Sequence, residues 1–120
     1  MIRVLLIEDD LTFSKILESF LSRKGFSIDM RHDLKSGIEA LQANTYDLLL
    51  LDYRLPDGSG TDIISRQGVD FTAVPTIVIT SFNDVRTAVK FMKSGVYEYI
   101  TKPVNPEELL HTKMAVFGEW

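Results

Sequence analysis

Hydrophobic runs that end abruptly in acid divide this chain. Val4-Leu5-Leu6-Ile7 stops at Glu8-Asp9-Asp10, and Leu48-Leu49-Leu50-Leu51 stops at Asp52. Consecutive apolar residues without alternation predict strands buried on both faces, whose last residues emerge at a rim. Between the two runs the period changes. Phe13, Ile16, Leu17, Phe20 and Leu21 fall on one face of a helix that ends at Gly25, with Asp10 placed to cap its start. In residues 26–31, Phe26, Ile28 and Met30 alternate with Ser27, Asp29 and Arg31, the mark of a half-exposed edge strand. A short helix after Asp33 buries Leu34, Ile38 and Leu41, and the third strand covers 47–51.

The second half repeats the alternation. The loop Leu55-Pro56-Asp57-Gly58-Ser59-Gly60 is dense in turn formers, and a weak helix around 60–67 stops at Gly68. Pro75 introduces the fourth strand, Thr76-Ile77-Val78-Ile79. Asn83 caps a helix on which Val85, Ala88, Val89 and Met92 share a face, ending at Gly95. Tyr97 to Thr101 forms the fifth strand, and Asn105-Pro106-Glu107-Glu108 opens the last helix with a cap, a proline and two acids.

Five such β-α units predict an α/β domain: a doubly wound five-stranded parallel sheet with five helices on its two faces and right-handed crossovers. An edge-like second strand beside fully buried first and third strands favours the order 2-1-3-4-5. The switch point then lies between strands one and three, where such folds place their sites. Glu8, Asp9 and Asp52 meet at that rim, and Thr80 and Lys102 reach it from the ends of strands four and five. Stability alone does not call for clustered carboxylates, because like charges repel; a divalent cation would relieve them.

Bulk properties narrow the function. A chain of 120 residues holds one domain, and its 45% hydrophobic and 25% charged residues are those of a globular protein. A net charge of -4 without a Lys/Arg cluster gives no support for nucleic-acid binding by this segment. The lack of cysteine excludes disulfides, thiolate zinc sites and cysteine nucleophiles. No apolar run has membrane-spanning length, and Met1-Ile2-Arg3 leads into the first strand rather than a signal peptide, so the cytoplasm is the expected location. Taken singly, each rim residue has a structural explanation: an acid caps a helix, a threonine suits a strand, a lysine is a solvated charge. Their convergence from four strands favours chemistry.

Glu8-Asp9-Asp10, Asp52 within Leu-Leu-Leu-Asp-Tyr-Arg-Leu-Pro-Asp-Gly-Ser-Gly, Thr80-Ser81 and Tyr99-Ile100-Thr101-Lys102-Pro103 resemble the receiver domain of bacterial two-component response regulators. The resemblance spans the chain, implying a single flavodoxin-like receiver domain over 1–120, expected to be the N-terminal part of a longer regulator. It implies that Asp52 accepts a phosphoryl group from a histidine kinase or phosphotransfer protein. It further implies Mg²⁺ bound by Asp9 and Asp52, by Glu8 through water, and by the backbone carbonyl of Arg54. Thr80 and Lys102 match groups that hold the phosphoryl oxygens, Tyr99 an aromatic switch, and Pro103 a proline after a cis peptide bond. Ser81 is small, as access to Asp52 requires.

Arg54 and Phe82, two positions after Asp52 and Thr80, are expected to set the rate of self-dephosphorylation. The responding surface would be the fourth helix, fifth strand and fifth helix, which in relatives serves dimerisation or contact with an output domain. His32 and His111 are expected on the surface, far from the rim. The stretch from Val85 to Val104 is similar to receivers of sigma-54-dependent activators, which carry an AAA+ ATPase and a DNA-binding domain; a stand-alone adaptor is the alternative.

The residue types suit this chemistry. A carboxylate is a weak nucleophile, so phosphoryl transfer to Asp52 depends on in-line positioning and on neutralising the equatorial oxygens. Two rivals fare worse. A haloacid-dehalogenase-like phosphatase wants a second aspartate where Arg54 stands, and a flavodoxin-like FMN binder wants backbone donors where Glu8-Asp9-Asp10 would repel phosphate.

Overall fold

The structure, a computed structural model, describes residues 2–59, 74–81, 89, 92–93 and 95–113. Strands β1 (Arg3–Ile7), β2 (Ser27–Arg31), β3 (Leu48–Asp52), β4 (Thr76–Thr80) and β5 (Glu98–Thr101) form one five-stranded sheet in the order β2-β1-β3-β4-β5. Every pairing in it is parallel. This is the expected doubly wound, flavodoxin-like arrangement. Helices α1 (Leu11–Arg23) and α2 (Leu34–Ala43) connect the first three strands. A final helical segment starts at Pro106–Glu108 and passes into a π-helical turn at Leu109–Lys113. The expected helix at 60–67 and most of the one after Asn83 lie outside the described residues.

Alternation within the apolar runs assigns each side chain to one of two layers. Leu49 and Leu51 join Leu5, Ile7 and Val78 under α2, against Leu34, Ile38 and Ala40. Leu48 and Leu50 join Val4, Leu6, Ile77 and Ile79 under α1 and the final helix, against Leu17, Leu21, Leu109 and Leu110. Both faces are covered, so the polar residues of these strands fall at their ends, Thr76 at the start of β4 and the acids and Thr80 at the rim.

The caps fall where the sequence places them. Asp10 accepts the Phe13 N–H at 3.0 Å, Asp33 that of Ser36 at 2.7 Å, and Asn105 that of Glu107 at 2.9 Å. Gly25 follows α1 with a φ of 96°, a conformation that favours glycine. Three apolar positions differ from expectation. Ile16 is 54% exposed, because the buried stripe of α1 runs Ser14–Leu17–Leu21 and leaves Ile16 beyond its edge. Val89 and Met92 are likewise exposed, at 45% and 46%, although periodicity assigns them to a buried face.

The short loop after β3 contains more order than its turn formers suggest. Arg54–Leu55 pairs with Gly58–Ser59 as a two-residue antiparallel hairpin, and Leu55 is buried in the layer under α2.

Gly37 sets how closely α2 approaches the sheet. A Cβ there would stand 2.5 Å from Ile7 Cδ1 and 2.9 Å from Ile7 Cγ1, and Ile7 has no exposed surface. We expect Gly37→Ala to destabilise the domain by about 1–3 kcal/mol through overpacking, despite the better helix propensity of alanine. Ile7→Val in the same background should recover part of the loss. Urea unfolding of the single and double variants checks this; a Gly37→Ala variant as stable as the parent would refute the close-approach argument.

Candidate functional site

Strand register decides what meets at the rim. Ile7 pairs with Leu51 and Asp52 with Ile79, so Glu8 and Asp52 leave the sheet side by side. Asp9 follows in the turn into α1. One carboxylate oxygen each of Glu8, Asp9 and Asp52 lies within 4.8 Å of the others. Glu8 and Asp52 are only 1% and 7% exposed, whereas Asp9 faces solvent.

Glu8 is fixed on every side. Its N–H donates to the Arg31 carbonyl at 2.9 Å, and its Oε2 accepts from the Asp10 N–H at 3.2 Å. Its carbonyl accepts from Ser14 Oγ at 3.4 Å and from His32 Nδ1 at 2.9 Å, a contact that places the imidazole proton on Nδ1. His32 is exposed, as expected, but it is not far from the rim. It follows β2 by one residue, and the rule that gathers strand ends applies to it too. His111 is exposed.

Lys102 supplies the opposing charge. Thr80 pairs with Thr101, and the Lys102 N–H donates to the Thr80 carbonyl at 2.7 Å, so the ladder carries Lys102 to the rim. The Lys102–Pro103 peptide bond is cis, as the resemblance implies. Lys102 Nζ stands 2.7 Å from Glu8 Oε1, 3.9 Å from Asp52 Oδ2 and 5.1 Å from the centre of the Phe13 ring. The π face of Phe13 adds a weak attraction for the ammonium.

Positive charge in this cluster remains short. Burial drives the Asp52 carboxyl pKa up to about 8, hydrogen bonding to Glu8 and the Glu8 charge add to the rise, and Lys102 opposes it. Burial also works against the Lys102 ammonium, but its close pairing with Glu8 and the Asp52 charge outweigh that and raise its pKa. Beyond this ion pair, Glu8 Oε1 is buried without a hydrogen-bond partner.

The donor set suits a hard divalent cation, since it is all oxygen and rich in carboxylate.

The remaining candidates lie around this cluster. Thr80 is buried at the end of β4 and Ser81 beyond it is exposed. Val78 pairs with Tyr99, so half-buried Tyr99 shares a sheet face with Thr80, one step below it on the neighbouring strand. Arg54 is exposed at the start of the hairpin, its guanidinium 6.0 Å from the Tyr53 ring centre. Phe82 lies outside the described residues. Asp57 stands among turn formers in the sequence, but its carboxylate caps α2, accepting the Leu34 N–H at 2.6 Å and the Lys35 N–H at 3.0 Å. No local pattern announces a cap delivered from another loop.

The chain matches the response regulator receiver domain over residues 4–113. It belongs to that family. Response regulator ArlR of Staphylococcus saprophyticus is 36% identical over 110 residues, 92% of this chain and 50% of its own. Cell cycle transcriptional regulator CtrA of Caulobacter vibrioides is 33% identical over 108 residues, 90% of this chain and 47% of its own. The receiver thus spans about half the length of these curated relatives. Among solved structures, a two-component response regulator from Clostridium difficile is similar at a TM-score of 0.87 and 29% identity, covering 97% of this chain and 94% of that one. A response regulator from Burkholderia pseudomallei, solved with a phosphorylated aspartic acid, calcium ion and citrate, has a TM-score of 0.82 at 26% identity, covering 92% and 65%. The chain is therefore a regulatory domain of two-component signalling.

The raised Asp52 pKa has a definite sign in stability. Its unfolded value is that of an ordinary aspartate, so between about pH 4 and 8 the folded receiver holds a proton that the unfolded chain releases. Stability is then full below about pH 4 and falls as pH rises toward 8. In EDTA, we expect a loss on the order of 2 kcal/mol between pH 5 and 8, and Asp52→Asn should remove most of it. Thermal melts of both proteins across that range isolate the contribution of Asp52. Parallel curves would show that Asp52 carries no such burden.

Proposed function

We propose that this receiver accepts a phosphoryl group on Asp52, with Mg²⁺ held directly by Asp9, Asp52 and the Arg54 backbone carbonyl and by Glu8 through water. One observation carries the reading. Asp52 is a buried carboxylate at the switch point, grouped with the Glu8 and Asp9 oxygens within 4.8 Å and with Lys102 Nζ at 3.9 Å. The bound ion supplies positive charge for the transferring phosphoryl oxygens and for the clustered carboxylates. That the Burkholderia pseudomallei relative was solved with a phosphorylated aspartic acid and a calcium ion supports the same chemistry here.

The donor is a phosphohistidine of a histidine kinase or phosphotransfer protein. An Asp52 oxygen attacks phosphorus in line, the phosphorus–nitrogen bond breaks, and its electron pair returns to the imidazole. Lys102 and Thr80 hold the new phosphoryl oxygens. Movement of Thr80 toward them opens space above Tyr99 on the same sheet face, and the phosphoryl group thereby biases a two-state equilibrium. Arg54, exposed two positions after Asp52, then sets the rate at which water removes the group. Val89, Met92 and Tyr97, exposed apolar side chains between β4 and β5 in the sequence, suit a phosphorylation-dependent homodimer or contact with an output domain.

Output is transcriptional on this reading, as the names of CtrA and of transcriptional regulatory protein DltR of Streptococcus agalactiae suggest. The receiver, residues 1–120, would form the N-terminal part of a longer regulator. In these relatives the unmatched half leaves room for one ordinary domain, of about 100–150 residues. This favours a single DNA-binding output over the AAA+ ATPase and DNA-binding pair of sigma-54-dependent activators. Among the described residues no helix is long and apolar enough to cross a membrane, and the cytoplasm suits a kinase-fed acceptor.

Acetyl phosphate with Mg²⁺ should add one phosphoryl group, seen by intact mass, and EDTA or Asp52→Asn should abolish the gain. Modification that persists in Asp52→Asn would move the acceptor elsewhere. Multiple turnover of a generic phosphate ester would favour a phosphatase instead.

A further inference from the structure

The first turn of α2 is capped twice, from two places in the chain. Asp33, directly before the helix, takes the Ser36 N–H with its side chain and the Gly37 N–H with its carbonyl at 3.1 Å. That leaves the N–H groups of Leu34 and Lys35, which an isolated helix gives to water. Here both go to Asp57, one to each carboxylate oxygen, at 2.6 and 3.0 Å. Asp57 is exposed, so burial does not explain its placement. A carboxylate across a helix N-terminus is favoured both by charge-assisted hydrogen bonds and by the helix dipole.

Asp57 lies five residues after Asp52, at the tip of the hairpin that Arg54 begins. The hairpin is therefore pinned at three points. Asp52 belongs to β3, Leu55 is buried among Leu34 and Ile38, and Asp57 holds the N-terminus of α2. The Arg54 carbonyl sits between the first two of these anchors. Helix α2 is itself fixed against β1, because Gly37 lies directly over Ile7, the residue before Glu8. The clamp thus refers the Arg54 segment to the same strand that carries Glu8 and Asp9.

We infer that Asp57 is a positioning residue for the divalent cation: by clamping the hairpin to α2, it holds the Arg54 carbonyl in register with the Glu8, Asp9 and Asp52 carboxylates. The inference rests on the metal cradle proposed above and adds a residue that does not itself touch the ion. Loss of an outer partner of this kind weakens metal binding by about tenfold or more.

Titration of the metal-free receiver with MgCl₂, followed by backbone amide NMR shifts at the Asp52 rim, tests it on four proteins: the parent, Asp57→Ala, Asp57→Asn and Asp33→Ala. Asp33→Ala is the control, because it removes a cap from the same helix without releasing the hairpin. We expect Asp57→Ala to bind Mg²⁺ about tenfold more weakly, Asp57→Asn to fall between it and the parent, and Asp33→Ala to bind as the parent does. Acetyl-phosphate labelling should show the same split, with Asp57→Ala regaining the parental rate at saturating Mg²⁺. Parental affinity in Asp57→Ala, or an equal loss in Asp33→Ala, would overturn the role of Asp57 alone. A parent whose rim amides ignore Mg²⁺ would overturn the cradle itself, a result distinct from either. Should Asp57→Ala fail to fold, Asp57→Asn, which keeps one acceptor oxygen, decides by the same comparison with Asp33→Ala.

Discussion

Two buried carboxylates on adjacent central strands, Glu8 and Asp52, set the conditions for the whole rim. Removing such groups from water costs several kcal/mol each unless charge and hydrogen bonds compensate, and here they also repel one another. The strands beneath them cannot part. Leu48, Leu49, Leu50 and Leu51 show no exposed surface, and each such leucine stabilises the fold by about 1.5–3 kcal/mol. Four of them in β3 alone outweigh the repulsion above. The hydrophobic layers therefore hold in place a charge cluster that would disperse if the rim were free to choose.

Lys102 makes this tolerable without neutralising it. Its ammonium is nearer to Glu8 than to Asp52, 2.7 against 3.9 Å, so the Asp52 carboxylate keeps the weaker of the two contacts. An arrangement built for stability would pair the buried acids fully or replace them with apolar residues. Incomplete pairing instead leaves Asp52 open to a cation from outside, which suits the nucleophile role proposed for it toward a polyanionic donor. A carboxylate fully engaged by a lysine would be quieter electrostatically and less available to phosphorus.

Much of this was legible in the sequence, and the parts that were not share a cause. Unbroken apolar runs gave away β1, β3 and β4, because burial on both faces leaves no polar position until the strand ends. Asp10, Asp33 and Asn105 were readable as caps because each bonds a residue two or three positions on. Once the strand order was fixed, Glu8, Asp9, Asp52, Thr80 and Lys102 could be placed at one rim without coordinates. What escaped depends on where loops and helices lie relative to distant elements. Asp57 bonds residues more than twenty positions earlier, and His32 reaches back to the Glu8 carbonyl. The close seat of Gly37 on Ile7 is of the same kind. For Ile16, Val89 and Met92 the period was right in form but could not show how wide the covered stripe is.

Both edge strands are half-buried, so for the acceptor role proposed for Asp52 it is the ties along each edge that favour β5 over β2 as the route of a signal. Strands β3 and β4 are buried throughout, whereas β5 is half-buried along Glu98–Ile100 and exposed at Thr101. A strand with less packed surface has less to lose in a second arrangement, and low local stability is where moving elements are drawn from. The opposite edge is tied differently: Asp29 on β2 binds both Arg31 and the Tyr46 hydroxyl, and Arg3 stacks on the Tyr46 ring. Near Asp52, by contrast, the Lys102 N–H holds the Thr80 carbonyl, joining the two groups assigned to phosphoryl binding through one backbone bond. Any shift of Thr80 toward a modified Asp52 is therefore felt at Lys102, at the head of the strand that carries Tyr99. The proposed acceptor and the β5 edge are separated by one strand, and that short distance would let a local change of charge become a change of surface.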